Sequence, residues 1–305
     1  MKPAVNNKNS NIMKKQLTRL GMLMLVGLFT TSLALAQDED DRGFHLDEVY
    51  EMNATGTLHL SSSDADVRII GSNRSDVHVK IDRIEERRGI SSRRSFDVEV
   101  ENRGGDLYIN ERRGRGASVT IGYSRIDYTI FIELPEGASL RVRGDDDDYE
   151  VKNVNGSINM ETDDGDIELI DCKGDDFEFN LEDGDLRMDG GKGKIYVRLD
   201  DGDADIQNGN FEELEMRVED GSIIVETSIS DKGTYEIRAD DARIDFMVLS
   251  GGGEFIVTKD DGSVRASSEF ETIRESDYRS ELRLKGGDAD VQIRTNDGRV
   301  RLSAR

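Results

Sequence analysis

The chain has 305 residues and a net charge of −24, with 65 acids against 41 Lys plus Arg. So acidic a field repels nucleic acid and anionic lipid, so neither is expected as a partner, and it draws cations instead. Its single cysteine, Cys172, cannot form an internal disulfide.

Near the N-terminus, Lys14, Lys15 and Arg19 precede an apolar run from Leu20 to Leu33 and then Ala34-Leu35-Ala36. That pattern is a secretory signal peptide ending at an A-x-A site, so residues 1–36 are expected to be removed, with Met13 a second candidate start. The run falls short of the roughly 20 apolar residues of a membrane-spanning helix. An exported protein without an integral span is expected, periplasmic, extracellular or at the cell surface. Residues 37–47, opening with "QDEDDRG", read as a disordered acidic leader.

From residue 48 to 137 apolar and polar residues alternate, as in Leu58-x-Leu60, Val67-x-Ile69, Val77-x-Val79-x-Ile81 and Tyr128-x-Ile130-x-Ile132-x-Leu134. Period two means half-buried strands, and the class is all-β. Within this less regular N-terminal portion, the Arg-rich segment from Arg83 to Arg115 reads as a solvated loop among mixed-charge strands. His45, His59 and His78 are the only histidines. His59 and His78 alternate with apolar strand residues and read as satisfied or exposed, not as general bases.

From residue 138 to 305 the alternation becomes metrical. Gly156, Gly165, Gly174, Gly184, Gly193 and Gly202 fall nine or ten residues apart, and acidic turns recur at Gly165, Gly184, Gly202, Gly221, Ala242, Gly262 and Gly298. Every second turn is acidic, so the repeat is about 19 residues, strand-turn-strand-turn, some seven times over; the 36 residues between Gly262 and Gly298 count as two units. Strands after the acidic turns offer apolar pairs such as Ile167 and Leu169, Leu186 and Met188, Val264 and Ala266. The others answer with Phe177 and Phe179, Ile195 and Val197, Leu214 and Met216. Two architectures fit: a β-solenoid with one coil per unit, or an antiparallel meander of Asp-Gly hairpins. Renewal of turn type at every second turn favours the solenoid, because like positions then stack on like.

These stretches carry a family resemblance. "ATGTLHLSSSDADVRIIGSNRSDVHVKI" (Ala54 to Ile81), "IELPEGASLRVR" (Ile132 to Arg143) and "VNGSINMETDDGDIEL" (Val154 to Leu169) resemble a bacterial extracytoplasmic family of unknown function labelled as adhesins, the DUF4097-like β-solenoid repeat proteins. The resemblance spans about residues 48 to 305 and implies an exported β-repeat protein with no assigned reaction. The dense acidic turns and the Arg-rich segment near Ser91 depart from the family's commoner pattern.

Chemistry is sparse. No nucleophile is paired with a base, so no catalytic residues are assigned. Asp200, Asp201 and Asp203 imitate the acid clusters of solenoid polysaccharide lyases and hydrolases, but minimal turns and the absence of tryptophan argue against an enzyme. No metal or cofactor residues are assigned either. Calcium at the stacked Asp-Asp-Gly turns is the alternative, since it takes about six to eight oxygens. Cys172 reads as an unpaired residue beside a turn. The favoured role is a non-catalytic scaffold or surface-binding protein whose partner is a protein or a surface glycan.

One question is left by the turns. Gly supplies positive φ and the preceding Asp bonds the turn backbone. That does not explain why Glu182, Asp185, Asp200 and Asp203 are acidic as well. Two carboxylates about 4.8 Å apart repel by roughly 0.9 kcal/mol even in water. A stack of Asp164, Asp183, Asp201 and Asp220 is therefore expected to oppose folding unless cations screen it.

Overall fold

In the computed structural model, residues 43–91, 95–114 and 120–305 are described; the expected signal segment, the leader to residue 42, and Arg93, Arg94 and Arg115 lie outside them. The alternating segments are strands, and no helix interrupts them among the described residues. The N-terminal portion holds β1 (Gly43–Glu51), β2 (Thr57–Ser61), β3 (Asp66–Ser72), β4 (Asp76–Ser91), β5 (Phe96–Arg103), β6 (Asp106–Arg113) and β7 (Thr120–Pro135). It is followed by β8 (Ser139–Asp146), β9 (Asp148–Lys152), β10 (Ile158–Asp164), β11 (Ile167–Cys172), β12 (Asp176–Asp183), β13 (Leu186–Gly190), β14 (Lys192–Asp201) and β15 (Ala204–Ser250), which winds unbroken through several corners. The C-terminal group is β16 (Gly253–Lys259), β17 (Ser263–Ala266), β18 (Phe270–Glu275), β19 (Arg279–Leu284) and β20 (Ala289–Ala304).

The architecture is a parallel β-solenoid. Strands adjacent in sequence do not pair across the corners: β10 bonds to β8 and β12, while β11 bonds to β9 and β13. That rules out the meander. On the first face, β2, β8, β10, β12, β14 and residues 210–220 of β15 stack in register. On the second, β3, β9, β11, β13 and residues 204–207 do the same. Corner hydrogen bonds link residues alternately 18 and 19 apart, the coil length expected from the turns.

Side chains on the inner sides of the two faces form one narrow core. Leu140, Ile158, Phe177, Ile195 and Leu214 face inward from the first face, and Tyr149, Ile167, Leu186 and Ala204 from the second, each at most 3% exposed. Burial of each large apolar side chain contributes about 1.5–3 kcal/mol. The expected pair Val264 and Ala266 is the exception, half-buried and exposed. Strand β17 has β20 as its one parallel neighbour, so no further coil closes over it.

Chain order and stacking order part company at both ends. The coil β2–β3 lies between β6–β7 and β8–β9. At the other end β20 is inserted between residues 234–248 of β15 and the coil β16–β17. The 36 residues between Gly262 and Gly298 are therefore not two further coils but a detour through the hairpin β18–β19 before the chain fills the vacant slot. Antiparallel strands close both ends: β1 on β4 and β4 on β7, β5 on β6, β19 on β16 and β18 on β19. Such caps cover the open rows of N–H and C=O groups that a solenoid end would otherwise present.

Two expectations for the N-terminal portion need correction. Residues 43–47, assigned to the leader, begin β1, where Phe44, Leu46 and Tyr50 pack against the core and the strand pairs with β4. The Arg-rich segment is not a loop: β4 continues to Ser91 beside β7, and β5 and β6 form a hairpin. Cross-strand partners hold its arginines there, Arg112 on Glu99, Arg113 on Asp64, and Arg83 4.5 Å over the Phe96 ring.

The acidic corners set the closest approach between coils. Gly165, Gly184, Gly202 and Gly221 have φ of +131°, +133°, +144° and +144°. At Gly202 a Cβ would land on the carbonyl oxygen of Gly184, and at Gly221 on that of Gly202. Gly202→Ala is accordingly expected to cost about 3 kcal/mol, strain plus overpacking. Gly104→Ala, at φ +68° with nothing within 4 Å of the added carbon, should cost only about 1 kcal/mol. Urea denaturation of both variants decides, and equal losses would refute the stacking account.

Candidate functional site

Two features of the solenoid bear on function: the acidic corner and the outer side of the first face. At the corner, register places Asp146, Asp164, Asp183, Asp201 and Asp220 in one column, one per coil, as the turn spacing predicts. A hydrogen bond with Asp64 and the nearby charge of Asp164 hold the Asp146 carboxyl above its ordinary range. Asp183 is raised too, by desolvation and by the charges of Asp164 and Asp201. Among the described residues no group of three or more His, Cys, Asp and Glu side chains could hold a metal ion. The column sets carboxylates along a line, whereas calcium draws its oxygens around a point.

The surplus acids have a structural use. The backbone N–H of Asp166 donates to Asp148 Oδ1, that of Asp185 to Asp166 Oδ1, that of Asp203 to Asp185 Oδ1, and that of Ser222 to Asp203 Oδ1, at 2.8–3.0 Å. Each aspartate after a corner thus takes the N–H of the next coil. This accounts for Asp185 and Asp203. Asp200 instead accepts a 3.4 Å bond from Arg198, and Glu182 is exposed.

Where the glycine column begins, Asp147 occupies the corner position and is fully buried. Ala65 N–H donates to it at 2.7 Å, Tyr149 OH at 3.1 Å and Ser62 OH at 3.2 Å. Burial outweighs these bonds and pushes its carboxyl up to about 6. Cys172 is also buried, its thiol pushed up to about 11 by burial, which makes it an inert core residue.

On the outer side of the first face, strand alternation points every second side chain to solvent, and register turns these into rows. One row runs Tyr108, His59, Arg141, Asn159, Glu178, Tyr196. Beside it runs Asn110, Ser61, Arg143, Glu161, Asn180, Arg198, and the two rows line an open groove of about 820 Å³. Five rungs separate Tyr108 from Tyr196, about 24 Å at the strand spacing. His59 stacks on Tyr108, centroids 4.1 Å apart and planes within 4°. Burial lowers the His59 imidazole below its ordinary range, Asp106 opposes and Arg141 reinforces. Glu161 is held by Arg143 at 2.7 Å and Glu178 by Asn159. Arg141 has no ion-pair partner among the described residues. The groove offers hydroxyl, amide, imidazole and guanidinium groups and is suited to hydrogen-bonding a polar ligand.

Of the three histidines, the structure brings only His59 to this groove. His45 bonds Asp82 at 2.8 Å and His78 bonds Asp47 at 2.7 Å, ties that fasten β1 to β4. Sequence inspection missed Tyr108 and Tyr196 as groove residues. Their parity in the strands marks them as outward, but only the register shows that they share a row.

The geometry defines a class, a short-turned two-faced β-solenoid with a polar groove on one face. The chain belongs to the Toastrack DUF4097 family, whose pattern matches residues 56–303. No curated protein matches it. Among solved structures, it is similar to a protein from Bacteroides fragilis described as a "putative adhesin", at 9% identity, covering 85% of this chain and 96% of that one, TM-score 0.48. A second "putative adhesin", from Parabacteroides merdae, is 12% identical over 85% of this chain and 95% of its own, TM-score 0.44. A "putative cell adhesion protein" from Clostridium sporogenes is 13% identical over 86% of this chain and 100% of its own, TM-score 0.28. Among the described residues no helix is long and apolar enough to cross a membrane.

Two tests follow from the corner. Asp203→Ala removes the acceptor of the Ser222 N–H and should cost about 1 kcal/mol. Asp203→Asn keeps an acceptor oxygen, loses a negative charge, and should match or exceed the wild type, its gain shrinking in high NaCl as screening replaces it. Equal destabilisation by Ala and Asn in urea titrations would contradict the ladder. For Asp147, the folded value lies above the unfolded 3.8. The native state therefore binds the extra proton, and stability falls as pH rises from about 4 to about 6. The difference in unfolding free energy between wild type and Asp147→Asn should change by about 3 kcal/mol across that window; a flat difference would contradict it.

Proposed function

We propose that this chain is an exported, non-catalytic surface-binding protein whose first-face groove takes a hydroxyl-rich polymer, a surface glycan, lying along the solenoid axis. The observation that carries this is the row Tyr108, His59, Arg141, Asn159, Glu178, Tyr196, which repeats polar contacts at each coil over the length of the groove. A linear polymer of like units meets like spacing there. The imidazole, two phenols and three amides suit neutral hydroxyls, and Arg141 suits an acidic sugar. The signal-type segment from Met13 to Gln37 supports export.

The glutamates are spoken for by Arg143 and Asn159, which supports binding over hydrolysis. Pull-down of the purified chain on insoluble cell-wall polysaccharide tests the reading. The double variant Arg141→Ala, Tyr196→Ala should lose at least tenfold in retention, about 1.4 kcal/mol, with its melting midpoint unchanged. Retention equal to wild type, or release of reducing sugars by the wild type, would overturn the proposal.

A further inference from the structure

The charge of the second face is not uniform. Over most of the surface an arginine answers a carboxylate two residues along its own strand: Arg187 and Asp185, Arg217 and Glu215, Arg238 and Glu236, Arg279 and Glu281. Residues two apart share a face of the strand, so these pairs neutralise it locally. The C-terminal coils keep the rule only at Arg243 and Asp245. Register sets Arg243 beside Arg299 and Ser263 on one rung, and Asp245 beside Arg301 and Arg265 on the next along the strand. Four guanidiniums thus share one carboxylate: Arg243 at 2.6 Å from Asp245 and Arg301 at 3.7 Å. Arg299 and Arg265 are exposed and have no ion-pair partner among the described residues.

A cavity of about 580 Å³ opens at this patch, lined by Arg243, Arg299 and Ser263 together with Asp241 and Asp297 of the corner. Four like charges on neighbouring rungs repel one another, and although Asp241 and Asp297 line the same cavity, neither makes an ion pair with Arg265 or Arg299. The arginines hold fork-shaped donors suited to tetrahedral oxyanions, and Ser263 adds a hydroxyl. Neighbouring strands lie about 4.8 Å apart, so donors are presented in sets and not singly.

We infer that the grid of Arg243, Arg299, Arg301 and Arg265 is a second ligand site, on the face opposite the groove, for oxyanions of the phosphate class carried more than one to a molecule or surface. Such a ligand spans Arg299 and Arg265, the two guanidiniums without partners, while Asp245 keeps Arg243 and Arg301 oriented. Its source is either a soluble polyphosphate or a phosphorylated lipid headgroup. The inference does not depend on the groove.

Isothermal titration of the full chain with sodium tripolyphosphate at low ionic strength tests it, against NaCl of matched ionic strength. Saturable binding is expected, at least tenfold weaker in the double variant Arg299→Ser, Arg265→Ser and unchanged in Arg187→Ser. Should the double variant fold poorly, Arg299→Lys with Arg265→Lys keeps the charge, loses the fork, and should show an intermediate loss. Co-sedimentation with phosphatidylcholine vesicles, with and without phosphatidic acid, separates the sources: capture only by the phosphatidic acid vesicles supports the headgroup, and tripolyphosphate binding without capture supports the soluble anion. Failure of both probes, heat reproduced by NaCl, or equal binding by the double variant would overturn the site.

Discussion

Everything in this solenoid depends on how closely one corner can lie on the next. At three successive acidic turns a glycine N–H donates to the carbonyl of the following coil, Gly165 to Asp183 at 3.2 Å, Gly184 to Asp201 at 3.1 Å and Gly202 to Asp220 at 3.2 Å. No Cβ fits between them. Because the corners touch, both faces keep register, and register is what turns alternating residues into a continuous core and continuous outer rows. A wider corner would separate the coils and leave ladder groups unpaired in the interior.

The same closeness makes the corner electrostatically demanding. It brings the aspartates before each glycine into a single file, and the raised carboxyls of Asp146 and Asp183 record the crowding. The aspartates after each glycine offset part of it by accepting an N–H from the next coil, a charge-assisted bond of the stronger kind. Acidity at the corner is thus partly structural. At the start of the column Asp147 replaces glycine, and its buried carboxyl is stitched to Ser62 and Ala65 of the turn between β2 and β3 and to Tyr149 of β9. The regular stack is joined there to the intercalated N-terminal coil.

Function in the Toastrack family chain is consistent with this division of labour. The inner sides of the faces are fixed by packing, and the corner by backbone contact, so the outer rows alone are free to carry recognition. The first face uses that freedom for a polar groove, and the C-terminal coils of the second for an excess of arginine. Neither surface needs a loop, because the coil repeat itself spaces the side chains.

The sequence by itself determined the all-β class, the coil length and the core residues, since period-two alternation and turn glycines are local signals of strand and corner. It also determined the aspartate column, because equal spacing fixes equal position in a stack. It did not show that β20 slips between two earlier coils, that residues 43–47 start a strand, or that Asp185 and Asp203 bond the coil above. Those outcomes belong to the tertiary structure. Intercalation depends on which edge is open when the chain returns, and the rows of the groove and the arginine grid on register between strands up to 82 residues apart, such as His59 and Arg141. No local pattern encodes such a pairing; backbone hydrogen bonding between distant segments decides it.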